Sequence, residues 1–241
     1  MATREYHRRM QPNQTRAYGK PFQWSWTRLK NYRVCPKRHY HVDIAKEFSD
    51  DNDASRWGKT FHETMAKTIN GAPLPPSFKH HADIVGQIMH HKQRGLDVSV
   101  ELQLAMTEDF KPSPWFGADT WFRAVIDVQV LDETKAVAFD WKTGGKIQPD
   151  MEQLGLTAQM LFVHHPKLEE VSAMYWWTQH HEDTTKTYRR TDMTALWAGL
   201  MPEVKAMEEA AKTLTYPPKP SGLCVKHCPV TSCPHHGRGS F

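Results

Sequence analysis

Apolar and polar positions alternate most regularly in the middle of the chain. Val98, Val100, Leu102 and Leu104 alternate with Ser99, Glu101 and Gln103, the period-two pattern of a strand with one buried face. Two further apolar runs lie between Val125 and Gly144 and flank the polar stretch Asp132 to Lys135, which predicts a β-hairpin turning between Glu133 and Thr134. A second strand pair is predicted over Val171 to Thr178 and Lys186 to Arg190. Helical periodicity predicts helices from Ser25 or Thr27 to Val34, from Arg56 to Ile69 after Ser55, from Phe78 to Lys92, from Asp150 onward, and from Thr194 to Leu214 with a break at Met201-Pro202. Tyr216 to Pro220 reads as an extended linker. Strands mixed with helices in this order predict an α/β fold, a central sheet flanked by helices.

The hairpin carries the candidate chemistry. With the turn centred between Glu133 and Thr134, Asp127 faces Asp140 across the two strands, with Cα atoms about 4.5–5.5 Å apart. Lys142 lies two residues beyond Asp140 and projects from the same face. Like charges placed opposite each other cost up to about 1 kcal/mol. Asp140 also sits between Phe139 and Trp141 in a strand of buried character. A carboxylate there requires a partner or a metal. Two carboxylates and an ammonium on one patch suit a divalent cation and a developing negative charge, the requirements of phosphodiester hydrolysis.

Asp127 followed by Asp140-Trp-Lys142-Thr-Gly144 resembles the core of the PD-(D/E)XK nuclease superfamily, in its RecB-like branch. Gly58-Lys-Thr-Phe-His62 resembles the upstream motif, Glu101 the acidic residue before the hairpin, and Gln153-Leu-Gly-Leu-Thr157 the downstream Q-x-x-x-Y motif, with threonine in place of tyrosine. The resemblance covers Trp24 to Cys233. It implies a restriction-endonuclease-like mixed sheet and a Mg²⁺- or Mn²⁺-dependent deoxyribonuclease, with exonuclease action on DNA ends, single-stranded ends among them. The implied metal ligands are His62, Asp127, Asp140 and the Trp141 carbonyl; the implied catalytic residues are Lys142, Asp140, Asp127 and Gln153. Gln153 could alternatively close a capping box with Asp150.

Four cysteines complete the pattern: Cys35 near one end, and Cys224, Cys228 and Cys233 near the other. In a cytosolic chain they favour a metal over disulfides. Zinc with help from His227, His235 or His236 and a four-thiolate iron–sulfur cluster both fit the residues. The arrangement resembles the 4Fe-4S staple of AddB nuclease domains and CRISPR-associated RecB-like exonucleases, although the spacing here is C-x3-C-x4-C where that family has C-x2-C-x5-C.

Composition adds little that discriminates. The chain has 241 residues, a net charge of +4 and an isoelectric point near 8.8, a balance that permits nucleic-acid binding. The expected organisation is a mobile basic tail over 1–20 containing Arg4, Arg8, Arg9 and Arg16, a nuclease core over 21–215, and a cysteine segment over 216–241 packing with Cys35. No apolar signal segment or membrane span is evident, so a cytoplasmic location in a bacterium or phage-infected host is expected. DNA is the expected partner, together with recombination or replication proteins. The aromatic run Met174 to Trp177 could stack on bases or pack in the core. Two other readings stay open: a nuclease-like DNA-binding module without catalysis, and a zinc-stapled adaptor.

Overall fold

The computed structural model describes residues 22–49 and 52–239, so the basic tail expected over 1–20 lies outside the described residues. The chain divides into two compact units. One is formed from the described residues up to 49 together with those from 199 onward, and the other spans 52–198. Among the described residues, no helix is long and apolar enough to cross a membrane.

The unit over 52–198 is built on six strands: β1 (Asp97–Met106), β2 (Pro112–Ser113), β3 (Phe122–Leu131), β4 (Lys135–Lys142), β5 (Glu170–Trp177) and β6 (Glu182–Arg189). Their order across the sheet is β2-β1-β3-β4-β5-β6. β4 and β5 run parallel and every other neighbouring pair is antiparallel. This is the mixed sheet expected from the sequence. The hairpin register also agrees: Val128 pairs with Phe139 and Leu131 with Ala136, and the Asp132 N–H closes the turn on the Lys135 carbonyl at 2.8 Å.

Helices cover both faces. α1 (Trp26–Val34) and α2 (Pro36–His39) belong to the other unit; the sheet is flanked by α3 (Asp53–Ile69), α4 (Ala82–Gln93) and α5 (Met151–His164). Asn52, in a capping box with Ser55, starts α3 three residues earlier than expected. Phe61, Met65 and Ile69 of α3, with Ile84, Val85 and Ile88 of α4, bury themselves against Val128, Val130, Phe139 and Trp141 of the sheet. Each large side chain so buried contributes about 1.5–3 kcal/mol. Asp140 alternates with Phe139 and Trp141 and so meets α5 on the opposite face. The aromatic run of β5 packs rather than stacks on solvent: Tyr175 and Trp177 are buried, and Met174 and Trp176 lie against the α3–α4 core.

The discontinuous unit holds α1, α2, a π-helical turn (Tyr40–Ile44), α7 (Leu223–Lys226) and the later part of α6 (Met193–Thr213). The Ser25 hydroxyl caps α1, and extended Cys35 separates it from α2, which opens on Pro36. The Tyr32 hydroxyl donates to the Ala206 carbonyl at 3.1 Å, and Arg33 pairs with Glu203. The break expected at Pro202 does not occur, and α6 runs through it. Leu200, Val204 and Met207 are buried at helical spacing on either side of the proline, so packing outweighs its local cost of about 3 kcal/mol.

Candidate active site

The site forms where the β1–β3 ladder lapses. Partners run from Asp97↔Leu131 to Val100↔Val128 and resume at Leu102↔Ile126, omitting Glu101 and Asp127. Glu101 has φ of 49°, a left-handed conformation that costs a non-glycine residue about 1 kcal/mol or more. Asp127 spends its carboxylate in two directions. Its Oδ2 accepts the Trp141 backbone N–H at 2.7 Å, bridging to β4, and its Oδ1 lies 3.1 Å from His62 Nδ1. Glu101 Oε1 lies 3.8 Å from the same nitrogen. His62 stands beside Phe61, whose burial under the sheet fixes this turn of α3. Gly58, one turn earlier, allows the close approach of β4's continuation: a Cβ there would lie 3.1 Å from Thr143 Oγ1.

His62, Glu101 and Asp127 offer ligand atoms that all lie within 4.8 Å of one another. Among the described residues this is the one group of histidine, cysteine and carboxylate side chains spaced for a single ion. It differs from the expected set of His62, Asp127, Asp140 and Trp141 by including Glu101 and leaving Asp140 outside. The reason is that Asp140 is already held. Lys142 Nζ lies 2.8 Å from its Oδ1, and Gln153 Nε2 donates to its Oδ2 at 2.5 Å. Trp141 contributes its backbone N–H to Asp127, as above.

Gln153 does not close a capping box. Asp150 accepts the Gln153 backbone N–H at 3.3 Å, while the Gln153 side chain turns to the sheet, where its Oε1 accepts from Lys142 Nζ at 3.2 Å. Tyr175, read in the sequence only as part of the aromatic run Met174 to Trp177, enters here. The β4–β5 register places it beside Asp140. Its hydroxyl lies 2.7 Å from the Asp150 carbonyl and 3.2 Å from Gln153 Oε1, and its ring sits 4.6 Å under Lys142 Nζ. A desolvated cation over an aromatic face is held by about 2 kcal/mol.

The electrostatics describe a surplus of negative charge. Burial and the Asp127 charge push Asp140 up to about 6 against the opposing pull of Lys142. Burial and Asp127 likewise raise Glu101. Burial works to lower His62, but its hydrogen bond to Asp127 and the charges of Asp127, Glu101 and Asp140 outweigh it and raise its pKa. Burial, with Asp140 and Asp150, keeps the Tyr175 phenol protonated. Such a cluster is the electrostatic complement of a divalent cation, and its oxygen and imidazole donors suit Mg²⁺ or Mn²⁺.

In the discontinuous unit, all four cysteines are free thiols and line one cavity with Lys37, Arg38, Lys219 and His235. The Lys219 N–H reaches Cys35 Sγ at 3.3 Å and the Ser221 N–H reaches Cys224 Sγ at 3.5 Å. Burial raises the Cys228 thiol, and Cys224 and Cys35 add to the rise. The sulfurs are not gathered within the 4.8 Å spacing that the active-site group meets.

Comparison with known proteins settles the family. The profile of the PD-(D/E)XK nuclease superfamily matches residues 23–234. The chain belongs to the PD-(D/E)XK nuclease superfamily. The crystal structure of a presumed exonuclease from Eubacterium rectale is similar at a TM-score of 0.50 and 12% identity, covering 85% of this chain and 86% of that one. At that identity the likeness concerns the fold. The crystal structure of SSO0001 covers 90% of this chain and 88% of its own at a TM-score of 0.41 and 12% identity, too distant to carry an argument. No curated protein matches by sequence. Within the PD-(D/E)XK pattern, Thr157 leaves α5 without the motif's tyrosine. Tyr175 of β5 brings an aromatic ring to Lys142 and Gln153 instead.

Proposed function

We propose that this nuclease is a metal-dependent deoxyribonuclease acting as an exonuclease on DNA ends. The observation that carries the reading is the convergence of His62, Glu101 and Asp127 within 4.8 Å, beside an Asp140–Lys142–Gln153 network. His62, Glu101 and Asp127 would hold Mg²⁺ or Mn²⁺, with Asp140 and the Trp141 carbonyl at its border. A bound cation supplies a water of lowered pKa and positive charge beside the scissile phosphate. Lys142 then provides an ammonium for the charge that develops on the phosphoryl oxygens. Asp140 and Gln153 fix its direction. Tyr175 holds it from below as a positioning residue. Digestion of end-labelled single- and double-stranded DNA with Mg²⁺, Mn²⁺ or EDTA tests the proposal. Metal-dependent release of nucleotides from ends supports it, whereas internal nicking would make the enzyme an endonuclease, and no cleavage of any DNA would favour a DNA-binding module without catalysis.

The four cysteines fit a 4Fe-4S cluster that ties the two chain segments of their unit together. Their shared cavity and the backbone N–H groups aimed at Cys35 and Cys224 support a thiolate site.

The pH dependence of cation binding follows from the site's charges. Carboxylates whose pKa is raised on folding bind more protons in the native state than in the unfolded one between about pH 4 and 6, so stability without a cation falls as pH rises through that window. A divalent cation competes with those protons. Mn²⁺ at a hundredfold excess over its Kd should therefore stabilise by about 2.7 kcal/mol at pH 7.5, and clearly less at pH 5. Equal melting-temperature shifts at the two pH values would show that Mn²⁺ binds elsewhere.

Tyr175 should reveal its positioning role through kcat rather than KM. Tyr175→Phe keeps the ring under Lys142 and loses two hydrogen bonds, so activity should fall only a few-fold. Tyr175→Leu removes the ring and should lower kcat about tenfold or more, as expected from about 2 kcal/mol of cation–π attraction. Equal activity of the two variants in a folded protein would place the ring outside the machinery.

A further inference from the structure

We propose that Trp115, Phe116 and Arg123 form a base-stacking platform that grips the substrate strand a short distance from the cleavage centre. The inference rests on the nuclease reading above and adds a subsite to it. Phe116 is 85% exposed, far more than any other large apolar side chain described. Arg123 lies over two ring faces at once, its guanidinium 5.4 Å from the Trp115 ring and 5.3 Å from the Phe116 ring. Two aromatic rings with one cation against both match a nucleotide, a flat base joined to a phosphate.

The loop that presents them is built to hold its shape. Thr120 is fully buried and its hydroxyl donates to the Pro114 carbonyl at 2.8 Å, with Ser113 Oγ 3.1 Å away. The Gly117 N–H also closes on the Pro114 carbonyl at 2.9 Å. A Cβ at Gly117 would lie 2.9 Å from Thr120 Oγ1, so the tight turn requires glycine. Phe116 is therefore held out into solvent by ordered backbone. A side chain fixed in the exposed state has already met the conformational cost that stacking would otherwise impose.

Position along the sheet relates the platform to the chemistry. Arg123 precedes Asp127 by four residues on β3, about 13 Å of strand. That is about four nucleotides at the stacked rise of 3.4 Å, and fewer if the strand is extended. Between the two, the cross-strand neighbours Gln103 and Val125 are exposed, leaving an open strip of sheet. A protein partner could use the same aromatics, but the guanidinium against both rings and the spacing of Arg123 from Asp127 along the strand favour a single DNA strand.

The test compares Trp115→Ala/Phe116→Ala with the parent, both in a Lys142→Ala background that leaves DNA uncut. The probes are fluorescein-labelled single-stranded oligonucleotides carrying one abasic site at successive positions. The parent should lose affinity when the missing base falls within about two to four nucleotides of the end held at the site. The double variant should bind intact DNA about tenfold more weakly and respond equally to an abasic site at every position. A double variant that melts like the parent and binds every probe with the parent's affinity overturns the platform. Because cleavage by the Lys142-containing protein is measured separately, that result leaves the nuclease reading standing, whereas failure to cut or bind any DNA sinks both.

Discussion

Lys142→Ala is expected to lower the rate of metal-dependent DNA cleavage by about 10²–10³-fold, the usual cost of removing a group aimed at developing transition-state charge. The fold should survive, because the ammonium is partly exposed and its three contacts, to Asp140, Gln153 and Tyr175, are each held by other partners. The substitution carries a second signature. Lys142 opposes the rise in the Asp140 pKa, so its loss pushes that carboxyl higher still. Residual activity should then require a more alkaline pH than the parent's, since the carboxylate must be ionised to work beside a cation. Lys142→Arg keeps the charge but not the compact point geometry, and should recover only part of the rate. Measured kcat across pH 5 to 9, with circular dichroism as the folding control, decides the matter. Undiminished cleavage by Lys142→Ala would remove the lysine from the chemistry.

Cys35→Ser should have the largest effect on stability. Cys35 comes from the first segment of the discontinuous unit and the other three cysteines from its last, so one bound group would join both. Metal binding free energy of that kind is folding free energy. Anaerobically purified parent protein should be brown and contain about four irons per chain, the content of a four-thiolate 4Fe-4S site. Cys35→Ser should lose the iron and about 4 kcal/mol of stability, at the severe end for a single substitution. Colourless parent protein with one zinc would move the site to zinc, and unchanged metal content in Cys35→Ser would show that this cysteine is not a ligand.

The active-site hairpin was legible because its determinants are local. Period-two alternation, a two-residue turn and the spacing of Asp127, Asp140 and Lys142 fix one register, and that register is the one observed. His62 and Gln153 were reachable through motif resemblance on adjoining helices. Glu101 was visible as an acid on a strand's polar face that resembles the family's acidic residue before the hairpin. Its place beside His62 and Asp127 depends on the lapse in pairing with β3 and on a left-handed backbone, neither of which period-two patterning encodes. The aromatic run of β5 left base stacking and core packing both open in the sequence, and it packs in the core because helices cover both faces of that strand. The loop aromatics Trp115 and Phe116 carried no periodic signal at all.

By itself, then, the sequence determined the hairpin, its charges, the helix bearing His62 and the superfamily. The hairpin and the helix rest on near-neighbour sterics and patterning, which act within a few residues, and the superfamily rests on the resemblance of its ordered motifs. Only the tertiary structure decided which donors lie close enough for one cation, that Asp140 is engaged by Lys142 and Gln153, and that the Tyr175 ring lies against the lysine. Those outcomes depend on the register between strands distant in the chain and on which side chains reach a partner first. Such choices are made by packing free energy over the whole sheet, which no short window of residues contains.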